Sequence, residues 1–496
     1  MAYKDLSEFI NALEEAGQLK RISVQVSRDL EITEITDRLS KGDGAENKAL
    51  LFENVEGFAT PVLINTFGTE HRMSMAAGVE NLEELNEKLS KLIDMRLPEG
   101  MSSTLSRAAE LFGALRAAGL KPDKVRKAPC QEVVYEEDAT LDMLPILKCW
   151  PEDGGRYITL MQVITRDPAT NQRNVGMYRV QIFDGKTAAM HWQRHKGGAE
   201  HERLAQELNQ TKIPAAIVLG GDPAQMWCAS APLPPGIDEY LLAGWLRGKP
   251  VTFVDCITQP LEVPANAEIV IEGYVDTEDQ RLEGPFGDHT GYYTPADYFP
   301  TFHVTAITSK TNPVYPTTVV GKPPMEDYWM GKATERLFLP LMKIFMGEIV
   351  DINMPAEGVF HNLIIVSMKK RFPGHPFKVC YGLWGLGLMM LAKAIVIVDH
   401  DVDVHNLSEV GWHVLGNVDW RRDTIIVDGP VDQLDHSSVR ESFGGKIGID
   451  ATAKGTFDAQ VREWPSELIM SEEIKALVNQ KWDSYGFDRQ QESEAE

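Results

Sequence analysis

Between Glu283 and Tyr293 the chain reads EGPFGDHTGYY, two carboxylates set among glycines, a proline, a histidine and two tyrosines within eleven residues, a composition no core-packing pattern requires. Pro285 fixes its own φ, while Gly284 and Gly287 admit turns closed to residues with side chains. Glu283 and Asp288 can therefore be held on irregular backbone facing one cavity, and their spacing suits two acids with different duties. The same residue types are ordinary turn formers, so the segment alone is also consistent with a polar loop leading into a strand after Thr301.

A second unusual stretch lies upstream, NVGMYRVQIFDGKTAAMHWQRHKGG from Asn174 to Gly198. Arg179 falls in mid-strand, where a permanent charge is costly unless it faces an anion or a pocket; a structural salt bridge is the alternative. Asp184-Gly185 is a two-residue hairpin signal. It predicts Tyr178 opposite His191 and places Asn174 on the same sheet face, roughly 13 Å further along at about 3.3 Å per residue. A ligand shared by Asn174 and His191 then needs a bend, for which Gly176 is the candidate. Taken singly, Asn174 reads as a turn residue, His191 as a sheet histidine and Glu239 as an acid in the first turn of a helix over 238–246.

The elements that must position these residues divide the 496-residue chain, which is too long for one core. An N-terminal α/β domain is expected over 1–125. It has a capped helix carrying Leu6, Phe9, Ile10 and Leu13, a strand through Ile22, Val24 and Val26, a helix over 30–40, strands over 49–52 and 62–65, and an amphipathic stripe from Leu82 to Ile93. From 126 to 322 strands dominate, including 157–166, the 177–192 hairpin, 215–219, 251–256, 268–275 and 302–308, which indicates a barrel or sandwich. A linker helix over 323–345, bent at Pro340, leads to a second α/β domain over 346–485 with an apolar helix over 381–391. An acidic tail, 486–496, is expected to be disordered.

Net charge is −24, which argues against nucleic acid and leaves at most peripheral attachment to an anionic membrane. The five cysteines are scattered, without a C-x-x-C pair, and read as reduced. The start of the chain lacks the apolar core of a signal peptide, and no run of 18 apolar residues occurs, so a cytoplasmic enzyme is expected. Asp399, Asp401, Asp403 and His405 could line an extended segment and bind calcium or magnesium; a solvated loop is the preferred reading.

The runs NVGMYR at Asn174 to Arg179, DEY at Asp238 to Tyr240 and EGPFGD at Glu283 to Asp288, with GGKIGIDATAK near the C-terminus, resemble the UbiD family of decarboxylases over nearly the whole chain. The resemblance implies a central split β-barrel that binds prenylated flavin mononucleotide (prenylated FMN) and a C-terminal domain that builds a homo-oligomer, a dimer or a hexamer. It assigns Arg179 to the substrate carboxylate in partnership with Glu283, and makes Asp288 the acid that protonates the carbon once carbon dioxide has left. Such a donor needs a pKa raised from about 3.9, which an apolar pocket and the charge of Glu283 would supply, while Arg179 would keep one of the two acids ionised and couple the titration of all three. Asn174, His191 and Glu239 match the positions that hold manganese beside the flavin phosphate, with K+ as a further ion; members vary at the histidine, some carrying arginine. Met177, Tyr178, Arg179, His191, Trp192, Gln193, Lys196 and Gly197 match flavin-contacting positions.

The implied activity is non-oxidative decarboxylation of an aromatic or α,β-unsaturated acid, with a flavin prenyltransferase supplying the cofactor. In the quinone branch the substrate would be 3-polyprenyl-4-hydroxybenzoate for ubiquinone, or a dihydroxynaphthoate-type acid for menaquinone. An FMN-dependent flavin reductase is the alternative from another class, and an inactive scaffold would leave Arg179, Glu283 and Asp288 without a purpose.

Overall fold

A computed structural model describes residues 3–42, 44–96, 122–193, 196–233, 237–455, 458 and 462–486. The predicted acidic tail therefore lies outside the described residues except for its first position. The fold is mixed α/β around a curled central sheet.

The first helix, Leu6–Glu15, starts where Asp5 accepts a hydrogen bond from the Glu8 amide, and it buries Leu6, Phe9, Ile10 and Leu13. Each such side chain contributes about 1.5–3 kcal/mol by leaving water. The strand beside it is Leu19–Ile22 rather than a run to Val26; Val24 is exposed, and Val26 makes only an isolated bridge to Val55. Ala49–Phe52 and Val62–Ile64 continue this sheet, and its fourth strand, Tyr315–Pro316, comes from far along the chain.

Eight strands of the central sheet follow the order Tyr157–Ile158, Arg179–Ile182, Thr187–His191, Asp297–Ser309, Ile269–Glu283, Lys212–Leu219, Gln162–Arg166 and Arg173–Gly176. Laid flat, the first and last would stand roughly 34 Å apart at about 4.8 Å per strand. Yet Ile158 leads to Gln162, and Gly176 to Arg179, through connections of a few residues that span about 15 Å at most. The sheet must curl until its edges approach. A break in pairing remains between them, which makes the barrel a split one.

The predicted continuous strand over 157–166 is thus two strands in opposite halves of the sheet, one at an edge and the other next to the far edge, and the predicted 177–192 hairpin begins only at Arg179. Its loop is longer than the Asp184-Gly185 signal suggested. Asp184 Oδ1 accepts from the amides of Lys186 and Thr187, and the wider turn shifts the register by one residue. Arg179, not Tyr178, stands opposite His191, so these two side chains share a face.

The linker helix begins three residues later than predicted, running Glu326–Phe345 with Pro340 inside it. It leads into a five-stranded sheet whose three central strands, Leu363–Met368, Ala394–Asp399 and Phe443–Asp450, are parallel. The expected helix over 381–391 is instead His375–Trp384 followed by a 3₁₀ turn, Gly387–Leu391, separated where Gly387 takes φ +48°.

Candidate active site

Glu283 ends the long strand Ile269–Glu283 and is fully buried. The chain then turns at Gly284, φ +96°, whose amide donates to Gln181 Oε1 at 2.7 Å. Phe286–Gly287 pairs with Tyr293–Thr294, so the stretch read as irregular loop is a small hairpin with Asp288 beside its tip. Gly287 is required by contact: a Cβ there would stand 2.2 Å from the Trp150 ring. Its amide is held by Asp153 Oδ1 at 2.8 Å.

Arg179 lies between the two acids. Its Nε and Nη2 donate to Glu283 at 2.9 and 3.0 Å, a two-pronged pair, while Nη1 donates to Asp288 Oδ2 at 2.5 Å. The guanidinium sits 4.8 Å from the centre of the Phe286 ring. Asp288 also accepts from Thr294 Oγ1 at 3.1 Å and from the His289 amide at 2.8 Å. All three charged groups are buried, and the side chains of this one constellation come from two separate strands and a hairpin.

The protonation pattern corrects the expectation for Asp288. Burial pushes its pKa up, but the His289 hydrogen bond and the Arg179 charge outweigh burial and hold it well below the ordinary carboxylate range. Glu283 is lowered too, burial being outweighed by His191 and Arg179. In this state both acids are ionised.

His191 stands opposite Arg179 and not Tyr178 as the predicted register had it. Its Nδ1 meets Glu283 Oε2 at 3.0 Å. Burial and the nearby Arg179 lower its pKa despite Glu283, so the ring is neutral and donates Nδ1–H to the carboxylate. Nε2 is left buried and without a partner.

Asn174, on Arg173–Gly176, donates from Nδ2 to Tyr178 Oη at 3.4 Å. Glu239 opens the helix Glu239–Arg247 and accepts from the Val175 amide at 2.9 Å, which brings it beside that strand. Burial pushes Glu239 up to about 8, a cost that a neighbouring cation would relieve.

Around these groups glycines let the backbone approach closely. Lys196 precedes the helix Gly197–Glu207, whose first amides are an anion-binding end. A Cβ on Gly197 would fall 2.0 Å from Asn174 Oδ1, and one on Gly198 would meet the Trp192 ring. Trp192 Nε1 is buried and unpartnered, and the Gly198 amide donates to Tyr178 Oη at 3.0 Å. Met177 donates its amide to Ala229, and the Gln193 carbonyl accepts from the Lys196 amide.

Each domain of the chain matches a family description. Residues 10–92 match the 3-octaprenyl-4-hydroxybenzoate carboxy-lyase N-terminal domain, 123–323 its Rift-related domain and 328–451 its C-terminal domain. An uncharacterized protein of Archaeoglobus fulgidus is 51% identical over 97% of this chain and 98% of its own length. This chain belongs to the UbiD family.

It is a carboxy-lyase, and solved members share its architecture. Vanillic acid decarboxylase of Sedimentibacter hydroxybenzoicus in closed form superposes with a TM-score of 0.84 at 27% identity, covering 98% of this chain and all of that one. An evolved dimeric UbiD-class enzyme of Pelotomaculum thermopropionicum in complex with prFMN gives 0.77 at 27% identity, covering 96% and 98%.

Some residues of the site were not singled out from the sequence. Gln181 accepts from Gly284 and from Tyr157 Oη, and Asp153 anchors Gly287, so both fix the turn that aims Asp288. His289 lay inside the stretch read first, yet it was given no task there. The acidic segment over 399–405 is occupied internally: Asp399 accepts from the Ala453 amide, Asp403 from the His405 amide, and His405 pairs with Asp351. Among the described residues no three His, Cys, Asp or Glu side chains gather as a metal cluster.

Proposed function

We propose that the protein uses prenylated FMN to decarboxylate an aromatic or α,β-unsaturated carboxylic acid, with 3-polyprenyl-4-hydroxybenzoate of ubiquinone synthesis as the first substrate and a dihydroxynaphthoate-type acid of menaquinone synthesis as the second. The observation that carries the reading is a buried arginine shared by two carboxylates of unequal surroundings. When bound, the cofactor supplies the electron sink that no side chain can provide for the pair left on the substrate carbon.

The residues of the chain perform the rest. Arg179, fixed in orientation by its two-pronged pair with Glu283, receives the substrate carboxylate, which competes for the Nη1–H now given to Asp288. Asp288, released from that bond and set beside the substrate's own negative charge, is held less strongly in its ionised form and serves as the acid toward the substrate carbon. The lone pair on His191 Nε2, Asn174 Oδ1 and the Glu239 carboxylate are a nitrogen and two oxygens that suit manganese, while Lys196 and the Gly197 helix end suit a phosphate. A flavin reductase would leave the Arg179 constellation unused.

Expression with and without a flavin prenyltransferase tests this directly. The protein co-expressed with the prenyltransferase should show the cofactor by absorbance and mass and should release carbon dioxide from a panel of aromatic acids. Ordinary FMN reduced by a nicotinamide, with no carbon dioxide released, would reject the decarboxylase reading. Glu239→Gln should lose bound cofactor and manganese on gel filtration while thermal unfolding of the unloaded chain changes little; full occupancy in that variant would remove Glu239 from the ligand set.

Assembly is proposed to run through the end of the chain. The helix Glu472–Lys481 buries none of its residues, and Leu468, Ile469, Met470, Ile474 and Leu477 lie exposed along this arm. Such an apolar run is stable in water only when covered, and a second copy is the partner proposed. A chain ending at residue 461 should therefore sediment as a smaller species with its unfolding temperature preserved. An unchanged sedimentation coefficient per protomer count would place the interface elsewhere. Among the described residues no helix is long and apolar enough to cross a membrane.

A further inference from the structure

Resting on the assignment of Asp288 as donor, one question follows: an acid held ionised beside Arg179 has to be given a proton before it can deliver one. The groups around it show a route. His289 Nδ1 lies 2.9 Å from Asp288 Oδ1, and on its far side His289 Nε2 lies 3.0 Å from His361 Nε2. His289 belongs to the small hairpin of the central domain, whereas His361 precedes the strand Leu363–Met368 of the C-terminal domain.

The segment presenting His361 is built at a cost. Val359 and Phe360, neither of them glycine, take φ +51° and +44°, a region unfavourable for bulky and β-branched residues. Gly358 is packed so that a Cβ would meet the Leu363 Cβ at 2.5 Å, and Phe360 seats against Gly331 of the linker helix and 5.3 Å from the His289 ring. His361 Nδ1 is buried without a partner. Strain of this kind persists only where surrounding contacts over-determine it.

We infer that His289, seated against His361 across the domain interface, is a proton relay that recharges Asp288 between turnovers. The bookkeeping closes without an oxidant or reductant. Asp288 gives its proton to the substrate carbon as the bond to carbon dioxide breaks, forming C–H. The Asp288 carboxylate then takes the Nδ1 proton of His289, which keeps its Nε2–H on the His361 Nε2 lone pair, and the neutral His289 regains a proton at Nδ1 from water admitted as product leaves. Each turnover consumes one proton per carboxylate lost.

The electrostatics agree with this direction of flow. Burial lowers His289, but the Asp288 hydrogen bond and the charges of Asp288, Asp327 and Asp432 outweigh it and raise its pKa, so it holds the proton at rest. Burial and the His289 charge push His361 down to about 4, Asp432 opposing and Lys196 adding to the shift, so His361 is neutral and offers a lone pair to His289. Asp327 is itself raised to about 6 by burial, against the charge of His289.

The test uses the prenylated-FMN-loaded enzyme and an aromatic acid that it decarboxylates. His289→Gln keeps a hydrogen-bonding side chain beside Asp288 but cannot pass a proton. Its kcat should fall about 10²-fold, the low end for a positioned acid–base group, with KM within about threefold. Added imidazole should restore part of kcat in proportion to its concentration. His361→Gln, on the other domain, should fall less, about tenfold, with the same imidazole dependence, and it carries the test if His289→Gln does not fold. In the unloaded chain, ¹⁵N spectra at about pH 6.5 should show His289 protonated on both nitrogens and His361 on one.

Loss of turnover in Asp288→Asn combined with His289→Gln and His361→Gln both within twofold of wild type would overturn the relay alone. A kcat loss that imidazole fails to restore and that comes with a raised KM would overturn it as well, as a structural effect. Full turnover in Asp288→Asn would overturn the donor assignment and the relay with it.

Discussion

Asp288→Asn is expected to lower decarboxylation about 10²- to 10⁴-fold while cofactor binding survives, because a positioned general acid is worth that much in rate. The amide has nearly the carboxyl's shape and can still accept at one oxygen from the His289 amide, so the hairpin between Phe286 and Thr294 should keep its form. What it loses is the transferable proton, together with the charge that now meets Arg179 Nη1 and Thr294 Oγ1. Exchange of the product's ring or vinyl hydrogen with deuterated water is the same proton step in reverse and should fall in parallel. Substrate affinity should hold or rise, since Arg179 is freed from a competitor. Near wild-type turnover and exchange would move the donor elsewhere, with Glu283 the first candidate.

The sequence made the acids and the arginine visible as residue types out of place, because a mid-strand arginine and carboxylates among glycines have few bland explanations. Periodicity also exposed the layered order, since Leu6, Phe9, Ile10 and Leu13 bury together and the strands of the centre alternate. Register was another matter. A two-residue turn at Asp184-Gly185 was the simplest reading, but Asp184 caps two amides beyond it, and one residue of slip moved His191 from Tyr178 to Arg179.

That slip decides what His191 does, for it turns Nδ1 toward Glu283 and leaves only Nε2 for an ion. The curl of the sheet was expected from the family resemblance, but the order of its strands was not, because it follows from which strands pair and not from what each strand contains. The state of Asp288 was misread for a related reason: burial, Glu283 and the opposing Arg179 were weighed from the sequence, whereas the His289 hydrogen bond that adds to Arg179 is a contact only the folded hairpin makes. His361 could not have been found at all by spacing, being 72 residues from His289 and in another domain.

Arg179→Met carries the second large effect, and it falls on stability as well as on turnover. The substitution keeps much of the side chain's length and apolar volume beside Phe286, so what it removes is mainly the charge between two buried carboxylates. Breaking a buried pair in this way typically costs about 3–5 kcal/mol, because the remaining charges are left uncompensated. The low end applies here, since Glu283 keeps His191 and Asp288 keeps His289. For a domain of about 200 residues, about 3 kcal/mol corresponds to a fall of roughly 6–12 °C in the unfolding temperature of the unloaded chain.

The pH dependence gives the sign. In the wild type both acids have lowered pKa values, so their contribution is fully present above the ordinary carboxylate range and is lost as pH falls through the lowered values. In Arg179→Met burial acts with less opposition and the folded pKa values rise. The folded state then binds more protons than the unfolded one, and the deficit against wild type should shrink toward pH 5 and grow toward pH 8. Substrate binding should weaken along with kcat, which separates this variant from Asp288→Asn. A deficit independent of pH, or no deficit at all, would mean that the three groups are not the coupled charge cluster on which the site is built.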